Sequence, residues 1–267
     1  MTEPSTSRWI RREPLVLPLW RDLPQDAREA FRRADDALDA AADRAALLPH
    51  AGLEGALPPP RAAKEHIHHR LTVKFPPVTT PIGLFRSREE WSVLNAQPGA
   101  ADALSRQPLQ EDLNAWNKRF TGDGLLRTGA ICTNADSMGR RVVFPPPGNV
   151  RTQLEELHGF LARHDAAPRS FRGTVSLIAV TNCHPYTDGN GRVGRSLFNA
   201  IINSAKSSLG CYLPLREIHT YSRGGYIIRA RQAEIHGDWT PISRFMLAAV
   251  RLWDEQLFSK LQLSLAG

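Results

Sequence analysis

The sequence predicts a mostly helical protein that carries one short β-hairpin, and two observations support this fold class. Over most of the chain, apolar residues recur at steps of three and four, as they do on the buried face of an α-helix. In the middle of the chain, two short β-like segments flank a turn-rich loop, which is typical of a hairpin.

Seven segments have the spacing or composition of helices. The first is alanine-rich and covers residues 25–48, with Ala27, Phe31, Ala34 and Leu38 on one face. The others are residues 109–120, residues 150–163, a stretch before Cys183, the stretch that follows Gly191, residues 226–236 and residues 241–258. Residues 1–24 are rich in proline and charge and are predicted to be irregular, whereas residues 76–101 show too little periodicity for an assignment.

The predicted hairpin consists of residues 130–133 and 141–144, on either side of the loop 134–139. An edge of such a hairpin can hold an extended segment of another protein by strand addition. The residues predicted to line this edge are Ile131, Cys132, Thr133, Val142 and Val143. A plain surface hairpin is the alternative.

Composition limits the classes of protein to consider. A chain of 267 residues can bury a full core, and no apolar run approaches the length of a membrane span. The N-terminus lacks the basic-then-apolar pattern of a secretory signal. Three cysteines, without the spacing of metal ligands, fit a reducing compartment. We therefore expect a cytoplasmic protein.

The formal net charge of +7 raises the question of nucleic-acid binding. The basic clusters form no recognisable nucleic-acid motif with aromatic platforms, and a basic surface equally favours an acidic protein target. A histidine cluster at His66, His68 and His69 lacks a second ligand group at a defined spacing, so zinc is not favoured there. Nucleic acid and membrane are therefore not expected as partners.

The most informative segment runs from His184 to Arg195 and reads His-Pro-Tyr-Thr-Asp-Gly-Asn-Gly-Arg-Val-Gly-Arg. Its first half is turn-forming, because Asp, Asn and Gly favour tight turns. Helical apolar spacing begins at Val193. The segment therefore predicts a loop that leads into a helix, whose first N–H groups form an anion site.

The residue types in this segment suggest chemistry on a phosphate. The imidazole of His184 can accept a proton near neutral pH. Asp188 offers the hard oxygen ligands that Mg²⁺ uses when it also binds substrate phosphates. Arg192 and Arg195 can bind phosphate oxygens through their planar guanidinium groups. Each feature alone is common in turns and solvated helices, but their combination in this order favours a functional site.

The same segment resembles the signature of the Fic-domain family, His-x-Phe-x-Asp/Glu-Gly-Asn-Gly-Arg-x-x-Arg, with Tyr186 in place of phenylalanine. The resemblance implies a mostly α, Fic-type helical bundle with a short β-hairpin flap. It also implies an adenylyltransferase of the AMP-transferase type, which moves AMP from ATP to a Ser, Thr or Tyr hydroxyl of a target protein, with Mg²⁺ as the cofactor.

Further residues gain roles through this resemblance. Gly189, Asn190 and Gly191 would hold the phosphates through backbone N–H groups and the Asn amide. Residues 124–128 and 143–147 look like the segments that frame the family's flap. Tyr226, with the pair Gly237-Asp238 beyond it in the chain, resembles the aromatic residue of the family that closes over the nucleotide base.

A segment upstream, His50-Ala-Gly-Leu-Glu54-Gly55, resembles the inhibitory motif Ser/Thr-x-x-x-Glu-Gly/Asn of some family members, although histidine replaces the hydroxyl residue. The resemblance implies that Glu54 pairs with Arg195 and takes the guanidinium that would otherwise hold the γ-phosphate. The alternative is that Glu54 only ends a helix, with Gly55 as its C-cap.

These observations predict three regions: an N-terminal extension (1–101) with a helix and the inhibitory segment, the catalytic core (102–258) and a C-terminal tail (259–267). The expected partner is a target protein with a Ser, Thr or Tyr hydroxyl, and an antitoxin-like regulator is a further candidate. The resemblance implies a toxin or effector that acts in the bacterial cytoplasm or, if it is an effector, inside a host cell. Two alternatives stay open. The same site transfers UMP or phosphocholine in some relatives, or the chain is a catalytically silent regulatory binding module.

Overall fold

The structure is a computed structural model, and it describes residues 9–47, 86–95, 108–136, 138–203, 212–222 and 224–266. Within these ranges the chain forms nine α-helices and two short strands. The helices are α1 (Gln25–Leu47), α2 (Arg86–Asn95), α3 (Leu109–Thr121), α4 (Val150–Arg163), α5 (Arg169–Cys183), α6 (Asn190–Ile202), α7 (Leu215–Tyr221), α8 (Gly225–His236) and α9 (Thr240–Ala266), and the strands are β1 (Trp9–Arg11) and β2 (Arg141–Val143).

The mostly helical fold class is confirmed, and α4 has the predicted bounds. Two helices were missed. Helix α2 lies in the segment without clear periodicity, where Val93 and Leu94 are its buried apolar residues. Helix α7 has only seven residues and follows a proline. None of the described helices is long and apolar enough to cross a membrane.

The first and last helices pack against each other, so the N-terminal part of the chain shares the core of the rest. Helix α1 lies along α9 and also contacts α5. Around Phe31 of α1, a cluster of aromatic rings joins α1 to α5, with Phe171 of α5 at a centroid distance of 5.5 Å and Trp20 at 6.4 Å. The amide N–H groups at the start of α5 also donate to Asp35 of α1.

Helices α5 and α6 form the centre of the bundle and pack closely in antiparallel orientation. Two glycines allow this approach. A Cβ atom on Gly173 would lie 2.8 Å from the ring of Phe198, and one on Gly194 would lie 3.0 Å from Leu177. The short connection between these two helices contains the loop predicted to be catalytic.

The predicted hairpin is present in a reduced form. Its second strand is β2, whereas its first strand makes a single antiparallel bridge, between Cys132 and Val143. The longer pairing of β2 is with β1, in parallel and with Trp9 opposite Arg141. Residues 9–11 were expected to be irregular, and this was wrong because strand formation there depends on a partner far away in the sequence.

Replacing Gly173 with alanine should destabilise the fold, because the added methyl group would overlap the buried ring of Phe198. We expect a loss of about 1–3 kcal/mol in the free energy of unfolding, measured by urea denaturation. Gly159→Ala in α4 is the matched control, since its Cβ would meet only the flexible end of Arg163. The control should be neutral or stabilising, and equal losses in both variants would contradict the proposed close packing.

Candidate active site

The loop between α5 and α6 has the backbone conformation needed to place a side chain between the two helix ends. His184 follows α5 directly and adopts a left-handed conformation (φ 52°), while its N–H donates to the carbonyl of Val180. Gly189 precedes α6 and is also left-handed (φ 83°), so this position favours glycine. The two turns put the imidazole of His184 and the N-terminus of α6 in one six-residue loop.

The amide of Asn190 holds this loop closed. Its Oδ1 accepts from the N–H of Tyr186 (2.8 Å), and its Nδ2 donates to the carbonyl of the same residue (2.7 Å). Because Asn190 is 2% exposed and both polar atoms are used, its side chain supports the loop instead of facing a phosphate. The backbone N–H groups of the first turn of α6 receive no side-chain cap from Gly189 and therefore remain the groups of this segment that could bind an anion.

Helix α3 also supports the loop between α5 and α6. Asn117 donates from Nδ2 to the carbonyl of Asp188 (2.8 Å), and the hydroxyl of Thr121 lies within hydrogen-bond distance of both the backbone carbonyl (2.9 Å) and Oδ1 (3.1 Å) of Asn117. A Cβ on Gly189 would lie 2.6 Å from the same Nδ2. Gly189 is therefore required both by its positive φ and by the close approach of α3.

His184 has the tautomer and charge state of a proton acceptor. Its Nδ1 lies 3.3 Å from the carbonyl of Thr181, which favours the proton on Nδ1 and leaves Nε2 free to accept another. The ring stacks on Phe144 with the centroids 3.7 Å apart. Burial, with a smaller effect of the positive charges on Arg12 and Arg127, lowers the pKa of His184 to about 4. The imidazole is therefore neutral at physiological pH.

Arg127 connects the hairpin to this loop. From a buried position, its guanidinium donates to the carbonyls of His184 (2.7 Å) and Cys183 (3.2 Å) on the loop side. On the hairpin side it donates to the carbonyls of Gly129 (3.0 Å) and Pro145 (2.5 Å). Sequence reasoning placed Arg127 only within a family segment and gave it no role.

At the start of α6, Arg192 contacts Asp188 of the preceding loop. Arg192 donates from Nη2 to Asp188 (3.3 Å) and from Nη1 to the carbonyl of Phe120 (3.0 Å), and it also pairs with Glu89 of α2 (3.3 Å). The side chain of Asp188 is 82% exposed. Its carboxylate is thus accessible to a metal ion.

Deeper in the site, Arg195 is engaged by a buried carboxylate from α2. Its Nε and Nη2 donate to the two oxygens of Glu90 at distances between 2.5 and 3.1 Å, and Glu90 is fully buried. The hydroxyl of Tyr212 donates to the same carboxylate (2.5 Å). Burial alone would lower the pKa of Arg195, but the attraction of Glu90 outweighs it and raises this pKa.

Among the residues that the structure describes, Glu90 is therefore the carboxylate that pairs with Arg195. Glu54 lies outside the described residues, so its predicted role as an inhibitory residue stays a prediction. Sequence reasoning missed Glu90 because the pair joins positions 105 residues apart. One signal was available in the sequence. Two adjacent glutamates, Glu89 and Glu90, match two arginines that lie three residues apart on α6, and each glutamate pairs with one of these arginines.

The remaining predicted site residues are Tyr226, which lies on α8, and the five flap residues, which lie in the hairpin. Tyr226 is buried on α8, where its ring stacks on His219 with the centroids 3.6 Å apart. One ring face is thus taken, and stacking of this residue on a nucleotide base stays a prediction. The five predicted flap residues do lie in the hairpin, where Thr133 donates its N–H to the carbonyl of Val142 (2.9 Å).

Removal of the Glu90 carboxylate should destabilise the protein in a way that anions reverse. Glu90→Ala leaves the buried guanidinium of Arg195 unpaired, at a cost of about 3–5 kcal/mol in the free energy of unfolding. A polyphosphate that binds this guanidinium should recover much of the loss, so we expect pyrophosphate to raise the Tm of Glu90→Ala more than that of the wild type.

The neighbouring Glu89→Ala is the matched control, because its carboxylate is half exposed on the same helix and pairs with Arg192. It should cost no more than about 1 kcal/mol. If the two variants lose the same stability, or if pyrophosphate stabilises both equally, the buried pair does not have the assigned role.

The low pKa of His184 predicts how stability depends on pH. Between about pH 6.5 and about pH 4 the unfolded chain binds a proton at this position and the folded protein does not. The wild type should therefore lose stability relative to His184→Gln as the pH falls through this window. Parallel stability curves for the two proteins, measured by denaturation at several pH values, would show that His184 titrates normally.

Two solved structures share this fold, both at low sequence identity. A Fic family protein from Desulfovibrio desulfuricans G20 superposes with a TM-score of 0.52 at 22% identity, over 87% of this chain and 66% of its own. This chain thus spans just under two thirds of that protein. Fic-1 from C. elegans gives a TM-score of 0.52 at 19% identity, over 89% of this chain and 73% of its own. Among curated proteins, none matches the sequence.

The sequence model of the Fic/DOC family matches residues 61–202, which include helix α2 and the loop from His184 to Gly189. This match covers more than half of the chain. It contains the loop, the N-terminus of α6 and both arginines described above. On this evidence, the chain belongs to the Fic/DOC family.

Proposed function

We propose that this protein is an adenylyltransferase that moves AMP from ATP to a hydroxyl side chain of a target protein. The observation that carries the proposal is the neutral imidazole of His184 in the same loop as the N-terminus of α6. A proton acceptor next to an anion site is what a hydroxyl needs in order to attack a bound phosphate. Membership of the Fic/DOC family supports transferase chemistry of this class.

In the proposed reaction, Nε2 of His184 accepts the proton of the target hydroxyl as its oxygen attacks the α-phosphorus. The new bond joins this oxygen to the α-phosphorus, and the bond from the α-phosphorus to the bridging oxygen breaks, which releases pyrophosphate. The first N–H groups of α6, with Arg192 and Arg195, stabilise the negative charge of the phosphates. Most of the catalysis then comes from positioning and electrostatics.

The residues present fit a magnesium ion that is bound mainly through the nucleotide. Asp188 offers an exposed carboxylate in front of the N-terminus of α6. No cluster of three or more candidate metal ligands occurs in the described ranges, so the phosphates and water would complete the coordination shell. When bound, such an ion supplies positive charge that neutralises phosphate oxygens.

The proposal includes an inhibited resting state. As long as Glu90 occupies Arg195, this guanidinium is not available to the terminal phosphate of ATP. Adenylyl transfer should therefore be slow until α2 shifts or its carboxylate is removed. The same arrangement fits an antitoxin-like regulator that acts on α2. Whether the protein acts in the bacterium that makes it or inside a host cell stays a prediction.

The test is transfer of label from α-labelled ATP to proteins of a cell lysate in the presence of Mg²⁺. We expect Glu90→Gly to label more than the wild type, and Glu90→Gly/His184→Ala to lose about 10²–10⁴-fold of this activity while it still binds ATP. Asp188→Ala should lose the enhancement of ATP binding by Mg²⁺, which calorimetry measures directly.

Labelled UTP and CDP-choline, each in a parallel reaction, distinguish AMP from the two other groups considered. Label from either of these alone would replace AMP as the transferred group. If no variant transfers label from any donor and ATP still binds tightly, the chain is a regulatory binding module and the proposal is wrong.

A further inference from the structure

We infer that residues 9–12, here called the resident strand, occupy the docking place of an extended target segment next to His184. This inference rests on the proposed function, because it assumes transfer to a hydroxyl. It adds a regulation of that same site, because the chain's own residues 9–12 lie on the β2 edge and must leave it before an extended segment with an exposed Ser, Thr or Tyr can pair there.

The resident strand fills one of the two edges of β2. It runs parallel to β2, with Ile10 opposite Val142, and the N–H of Arg12 donates to the carbonyl of Val143 (2.8 Å). The other edge of β2 is used by the hairpin itself, through the bridge at Cys132. Without the resident strand, β2 would present an open edge to other chains.

This edge leads directly to the proposed base. Phe144 follows β2, and its ring stacks on His184. The guanidinium of Arg12 lies 5.0 Å from the centre of the Phe144 ring, and its Nη1 donates to the carbonyl of Thr181 (3.2 Å). The same carbonyl lies 3.3 Å from Nδ1 of His184. A chain that follows β2 therefore passes beside the imidazole.

The resident strand is held mainly by its backbone and by one side chain, Arg12, which also pairs with Glu234 of α8 (3.5 Å). The side chains of Trp9 and Ile10 are 56% and 38% exposed. Main-chain pairing does not select for side chains, so the edge that binds this strand can bind another extended segment. Little apolar burial would be lost when a target replaces it.

The resident strand lacks a hydroxyl side chain, so it can lie on the β2 edge without receiving AMP. From Arg8 to Leu71 the chain contains no Ser, Thr or Tyr, so no hydroxyl of this stretch can attack the α-phosphorus. A target segment in the same place would differ from the resident strand in this one chemical respect.

The direct test is to give the resident strand a hydroxyl. Arg11→Ser, Arg12→Ser and Glu13→Ser are each combined with Glu90→Gly and incubated with ATP and Mg²⁺, and the N-terminal peptide is examined by mass spectrometry. We expect AMP on the introduced serine in at least one variant, at a rate independent of protein concentration. Val16→Ser is the control, because Val16 is 84% exposed and lies beyond the pairing with β2.

The outcomes separate this inference from the proposed function. If Glu90→Gly labels lysate proteins but none of the three serines carries AMP, the inference is wrong and the proposed function stands. If no protein is labelled under any condition, the proposed function is wrong and the inference falls with it. AMP on Val16→Ser to the same extent would indicate a flexible terminus and would also overturn the inference.

A second pair of variants tests displacement. Arg12→Pro removes the N–H that bonds Val143, whereas Arg12→Ala keeps it, and both lose the guanidinium. In the Glu90→Gly protein, lysate labelling should be about two- to tenfold higher with Arg12→Pro than with Arg12→Ala, the equivalent of one main-chain hydrogen bond. Equal or lower labelling with proline would show that targets do not compete with the resident strand.

Discussion

The close approach of α5 and α6 is the constraint on which the catalytic arrangement depends. Because glycine occurs where each helix faces the other, Gly173 of α5 leaves room for the ring of Phe198, and Gly194 of α6 leaves room for the side chain of Leu177. The end of α5 and the start of α6 are then near enough for a loop of six residues to join them. The imidazole of His184 and the first N–H groups of α6 consequently belong to the two ends of one short loop.

The parts of the site that lie close together in sequence were predictable. Turn-forming residues followed by helical spacing indicated the loop and the start of α6, because these preferences are local. Glu90 could not be found in this way, since its contact with Arg195 arises only when α2 packs on α6. For the same reason β1, whose three residues pair with a distant strand, was expected to be irregular.

Asn190 shows a second limit of sequence reasoning. An amide next to two glycines in a phosphate loop suggested a phosphate ligand, but the backbone of Tyr186 lies nearer and uses both of its polar atoms. A buried amide is satisfied by the first partners that its own loop provides. The residue therefore contributes to the site by maintaining the backbone shape that exposes the N–H groups of α6.

The hydrogen bonds of Arg127 join the hairpin and the catalytic loop into one rigid unit. Because a single buried guanidinium donates to carbonyls on both sides, the distance between the flap and the imidazole is set when the protein folds. The conformational entropy of aligning these two parts is then lost during folding and not during the encounter with a target. In the proposed reaction, a segment that docks weakly and briefly would meet an imidazole whose position is already fixed.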